Sequence, residues 1–91
     1  MPQRLDVVRF VVGDRELEVA WDLAAEIRDR CERADDGTAR EVAARIRAVG
    51  ATRPVTLNRG QLVALLVVLE RWEVEAESGR RLREALANEL G

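Results

Sequence analysis

Histidine, lysine and tyrosine are absent from this 91-residue chain, and cysteine and serine occur once each, as Cys31 and Ser78. Without histidine and tyrosine, the commonest general base, the commonest metal-binding side chain and a frequent general acid are all missing. A Ser-His-Asp or Cys-His arrangement cannot be assembled from this chain, and neither can a zinc site of the Cys/His type. One cysteine cannot close a disulfide within the chain. Cys31 falls on the apolar side of a predicted helix, where a thiol behaves as a small hydrophobe. No histidine is present to activate it and no second cysteine to resolve it. The glycines are scattered singly, which leaves no phosphate-cradling loop and no dinucleotide fingerprint.

Long apolar runs are also missing. The longest, Leu62 to Leu69, has eight residues, against about 20 for a membrane-spanning helix. The amino-terminal residues Met1, Pro2, Gln3 and Arg4 lead into a strand-like segment without the apolar core of a signal peptide, so a cytoplasmic protein is expected. All fifteen basic residues are arginine, against seventeen acidic ones, for a net charge of −2. An Ala-, Val- and Arg-rich chain without lysine fits a GC-rich bacterial or phage genome. Nucleic-acid-binding domains gather a clear basic excess on one face, and this balance offers none overall.

Apolar residues make up 47% of the chain and charged residues 35%. That mixture describes one small globular domain spanning residues 1–91. Leu5 to Trp21 reads as a β-hairpin turning at Gly13-Asp14, with glycine supplying a positive φ at the first loop position. Val12 then faces Arg15, Phe10 faces Leu17 and Val8 faces Val19. Val8, Phe10, Val12, Leu17, Val19 and Trp21 line the core face. Val7 and Val11 lie on the other, with an Arg9–Glu18 pair. A slip of one residue would put Leu17 and Val19 on the polar face, which fixes the register. Asp22 is expected to cap a helix carrying Leu23, Ile27, Cys31 and Ala34 on one stripe, ended by a left-handed Gly37. Thr38 with Glu41 reads as the capping box of the next helix, whose apolar face is Val42, Ile46 and Val49 and which stops at Gly50.

Residues 54–57 leave open a third short strand beside the hairpin. Asn58 and Gln61 form a capping-box variant opening the longest helix, expected to run to about Glu77. Its first half, Leu62 to Leu69, is apolar at every position. It is expected to be buried almost all round as the central core helix, with the hairpin covering one side. Its second half, with Trp72, Val74 and Ala76 among glutamates, is expected to emerge toward solvent. Ser78-Gly79 marks either a kink or the cap of a separate last helix carrying Leu82, Ala85, Leu86 and Leu90. The fold class is therefore α+β, a hairpin packed on three or four helices.

The candidates for chemistry are few. Glu70, Glu73 and Glu77 would share one face of a continuous helix but read better as a solvated face, with Glu77 paired to Arg81. Asp35-Asp36-Gly37 lacks the alternating ligands and closing glutamate of a calcium loop. Arg40, Arg45, Arg47, Arg53 and Arg59 surround a nine-residue connection, too long for a helix-turn-helix, whose turn is about three or four residues. No enzyme, cofactor or metal is expected. The expected function is a non-catalytic protein–protein interaction or self-associating module. A chain this short cannot enclose an all-apolar helix on every side, so a protein partner or second copy is expected to cover what remains. Val7, Val11, Trp72 and Val74 are the candidate interface residues, because tryptophan is enriched at interface centres and the two hairpin valines face away from the core. A small nucleic-acid-binding regulator of repressor or antitoxin type is the alternative.

Overall fold

In a computed structural model that describes residues 7–50 and 52–91, the hairpin forms with the register its alternation demands. Strands β1 (Val7–Val12) and β2 (Arg15–Ala20) pair antiparallel, with Val8 opposite Val19, Arg9 opposite Glu18, Phe10 opposite Leu17 and Val12 opposite Arg15. Gly13 takes φ +64° in the turn, the conformation only glycine adopts without steric cost. Leu5, where the hairpin was expected to begin, lies outside the described residues.

Two helices follow, α1 (Trp21–Arg33) and α2 (Gly37–Val49), and then a two-residue strand β3 (Val55–Thr56). The third strand left open by the sequence is thus present. It pairs parallel to β1, Phe10 with Val55 and Val11 with Thr56, giving the strand order β2-β1-β3. The last two helices are separate, α3 (Arg59–Trp72) and α4 (Glu77–Leu90). The α+β architecture is as expected.

Several local expectations need correction. Trp21 is not on the hairpin's core face. It opens α1 and is 45% exposed. Asp22 is one residue inside that helix, with its Oδ1 accepting from the Leu23 N–H at 3.0 Å, and the N-cap position belongs to Ala20. Gly37 does not end α1, which stops at Arg33 with an extended Ala34. Gly37 is the first residue of α2, capped not by Thr38 but by Asp36, which accepts from the Thr38 N–H at 3.0 Å. Asp outcompetes Thr at an N-cap because its carboxylate is the stronger acceptor for an amide at the positive helix end. The Asn58–Gln61 capping box of α3 forms in both directions, at 2.8 and 3.0 Å.

The largest correction concerns α3. It ends at Trp72 rather than near Glu77, because Glu73 adopts the left-handed conformation at φ 55°. Val74 then turns inward and is buried. Gly79 explains why it fits. A Cβ there would lie 2.7 Å from Val74 Cγ2 and 3.2 Å from Leu23 Cδ2. Ser78 and Gly79 therefore do not cap or kink a helix; they lie in the first turn of α4, and the glycine is there for closeness of approach.

The core is one contiguous cluster drawn from every element, including Phe10, Val19, Ile27, Val42, Val55, Leu65, Leu69, Leu82 and Leu86. The apolar face assigned to α2 is buried, and on α4 Leu82, Ala85 and Leu86 are buried with Leu90 half-buried against the core. The sheet packs mainly on α4 and α1, with α2 at β3, while α3 packs on α1, α2 and α4. Helix α3 is thus covered by helices on its inner side and is not wrapped by the hairpin. Leu62, Ala64, Leu65 and Leu69 are buried, but Val63 and Val67 are 43% and 38% exposed. The expectation of burial all round fails because α3 forms the outer layer.

Two substitutions of opposite sign test how α3 ends. Replacing Glu73 by glycine removes the left-handed strain of an L-residue and is expected to stabilise the protein by about 1 kcal/mol. Gly79→Ala inserts a methyl against a branched, buried valine and is expected to destabilise by about 1–2 kcal/mol, even against the better helix propensity of alanine. Urea denaturation midpoints measure both. An unchanged midpoint for Gly79→Ala would refute the close packing of Val74.

Candidate docking groove

The four residues singled out by sequence do not converge. Val7 and Val11 lie half-buried on the outer face of the sheet, separated by Arg9 with Glu18 opposite it. Val74 belongs to the core and cannot serve an interface of the folded chain. Trp72 lines a surface concavity.

That concavity is an open groove of about 500 Å³. It runs between the end of α1, the start of α2 and the outer side of α3. Ala39, Ala64, Val67 and Val68 line it with Trp72, and Arg30, Arg33 and Arg71 stand around it. Each wall follows from local sequence. Arg30 and Arg33 occupy the last turn of α1, where cations meet the negative end of the helix dipole. Ala39 and Ala64 are small enough to let α2 and α3 approach, and both are buried. The Arg30 guanidinium carbon sits 4.2 Å from the centroid of the Trp72 ring, a cation–π contact that holds the half-buried indole in place.

Asp35 and Asp36 complete the lining. Asp36 is engaged as the cap of α2, which leaves three arginines and one uncommitted carboxylate at the rim. The floor offers apolar area and the rim offers cations. Such a surface can hold apolar side chains and screen them from water. Among the described residues no polar or charged side chain is buried, and no group of three or more His, Cys, Asp or Glu is placed to hold a metal ion. Glu70, Glu73 and Glu77 do not share a helix face, since α3 ends before Glu73 and α4 begins at Glu77. Glu77 pairs with Arg81 as expected.

The groove merges with the exposed valines of α3. Val67 lines it, and Val63 lies one turn away on the same helix. Sequence reasoning missed both because a run that is apolar at every position has no polar side to mark its outer face. The available signal was chain length, which limits how many sides of a helix can be covered.

Cys31 is fully buried between α1 and its neighbours. Burial, with a smaller contribution from the adjacent Glu32 charge, pushes its thiol up from an ordinary 9.0 to about 12. No helix among the described residues is long and apolar enough to cross a membrane. Comparison with protein-family models, curated proteins and solved structures finds no match to this chain.

The raised thiol pKa gives a pH prediction that this composition isolates. Between pH 9 and 12 the unfolded chain releases the Cys31 proton while the native chain keeps it, so stability falls as pH rises through that window. With no lysine or tyrosine present, no other side chain type titrates there. Chemical denaturation at pH 8, 9, 10 and 11 is expected to show a decline in the native protein and a flat profile in Cys31→Ala. At pH 8 a thiol reagent should label Cys31 only in urea; rapid labelling of the native chain would contradict its burial.

Proposed function

We propose that this chain is a non-catalytic protein-docking module whose working surface is the outer side of α3 together with the groove beside it. The observation that carries this reading is the exposure of Val63 and Val67, 43% and 38%, in continuity with a concavity lined by Ala64, Val68 and Trp72. Apolar area that is contiguous, concave and rimmed by charge is the composition of a protein-binding patch. Trp72 is the residue type most enriched where binding energy concentrates, and Arg30 presets its orientation.

The protein reading is favoured over nucleic acid by where the arginines go. Arg40 donates to the Ala34 carbonyl, Arg45 to the Thr56 carbonyl, Arg47 to the Glu32 carboxylate and Arg59 to the Leu90 carbonyl. Four of the five arginines that suggested a nucleic-acid face therefore have acceptors within the chain. None of these five lines the groove, which is flanked by Arg30, Arg33 and Arg71, is apolar at its base, and has the Trp72 ring engaged by Arg30.

A photo-crosslinking residue placed at position 67 in the full chain, expressed in its native host, tests the reading. A discrete protein adduct is expected from position 67, and none from exposed control positions away from α3 such as Glu26 or Asp14. Absence of an adduct at 67, or equal labelling from the controls, would overturn it.

A further inference from the structure

The outer face of α3 is self-complementary. Helix geometry advances about 100° and 1.5 Å per residue. Val63 and Val67 are one turn apart and lie about 40° from each other around the helix, forming a short apolar ridge. Arg59 and Glu70, eleven residues apart, lie within about 20° of each other on one flank of that ridge. Both are exposed, and both stand on the α4 side of it, Arg59 reaching the Leu90 carbonyl and Glu70 lying beside Arg83, Glu84 and Ala87.

Consider a second copy of α3 laid antiparallel on the first, with the two-fold axis near Leu65. Residues on one flank then meet residues of the same flank on the other copy, with positions reversed about the midpoint. Val63 meets Val67 of the second copy, and Val67 meets Val63. Arg59 stands six residues before the midpoint and Glu70 five after, so the two fall level to within about 1.5 Å. Each end of the contact therefore joins a cation to an anion. Gly60 lies on the opposite flank, level with Arg71 of the second copy. Outside its chain neighbours and its own helix backbone, Asn58 Oδ1 at 3.5 Å is the one atom within 4 Å of where its Cβ would be, so the surface is open where the longer side chain arrives.

We propose that the occupant of this face is a second copy of the same chain, joined through α3 in an antiparallel, two-fold contact. The proposal rests on the docking reading above and names its partner. Charge complementarity singles out the second copy. An isologous contact requires that one patch carry both halves of every pair, and this ridge, with its basic and acidic ends equidistant from its midpoint to within one residue, does so. Arg59 keeps its bond to Leu90 in this arrangement, because a guanidinium carries five N–H donors and that bond uses one. Among the described residues Glu70 has no ion-pair partner within the chain. The sheet's outer face is a poorer candidate, since Arg9 and Glu18 interrupt Val7 and Val11.

Sedimentation equilibrium and light scattering on the full chain at about 100 μM test the idea, a working concentration at which even a weak, micromolar contact is populated. The native protein is expected at twice its 10.2 kDa mass. Val67→Asp is expected to give a folded monomer whose unfolding midpoint matches that of the native protein at high dilution, where the native dimer has also dissociated and its mass-action stabilisation is gone. Arg59→Glu alone and Glu70→Arg alone are each expected to weaken association about tenfold, since every substitution counts twice across the two-fold. The double swap Arg59→Glu with Glu70→Arg should restore it to near the native value, a rescue that only the antiparallel register allows. A monomeric native protein, or a double swap no tighter than the single ones, would sink the proposal. If the chain is monomeric but position 67 still crosslinks to a different protein, the two-fold falls and the docking reading stands. A dimer abolished by Val11→Asp but not by Val67→Asp overturns both.

Discussion

Leu62, Leu65 and Leu69 fasten one side of α3 to α1, α2 and α4, and the rest of the molecule is arranged around how far that cover extends. A chain of this length buries only about 60–65% of its unfolded surface. The three-stranded sheet is occupied in covering α1 and α4. Among the described residues none covers the outer side of α3 at Val63 and Val67. The exposed valines are thus a consequence of layer order among the described residues: sheet, then helices, then one more helix on the outside.

The end of α3 shows a second constraint, in which packing overrules local preference. A left-handed glutamate at Glu73 costs about 1–2 kcal/mol. What it gains is the inward turn of Val74, which reaches the core only because Gly79 has no side chain to block it. Burying a valine contributes about 1.5–3 kcal/mol, enough to offset the strain. The three residues together separate α3 from α4 and bring Leu82 and Leu86 back onto the same core that α3 serves.

Much of this was legible in the sequence, and the exceptions share a cause. The hairpin register was readable because alternation on a two-residue period leaves one solution, and the capping box at Asn58 because its two partners are three residues apart. The stripes of α1, α2 and α4 were readable because each has a polar side. Helix α3 was misjudged on both counts that depend on tertiary structure. Its outer face was invisible in a run without polar residues, and its end was invisible because no helix-breaking residue occupies position 73. Gly79 reads as punctuation in the sequence, but its role is steric. Trp21 and Val74 exchanged places with expectation for the same reason: one begins a helix at the surface and the other fills the gap a glycine leaves. For the candidate site, Trp72 was identifiable by residue type alone. Val63 and Val67 were not, because exposure is a property of neighbours.

The local character of α3 also bears on what its outer face is suited to do. Valine is a poorer helix former than leucine or alanine by a few tenths of a kcal/mol, so Val63 and Val67 do not serve helix stability where they stand. Their branched side chains are confined to essentially one rotamer in a helix. The backbone beneath them is held by a reciprocal capping box at one end and by the buried Val74 at the other. A partner that covers them orders little that is not ordered already. The entropic cost of association, which usually consumes much of the gain from apolar burial, is correspondingly small. A short, rigid ridge can therefore form a specific contact from modest area, and the paired charges on its flank fix the direction in which a second helix can lie. That combination of stiffness and internal complementarity is the physical basis for reading the uncovered side of α3 as a surface made to be covered.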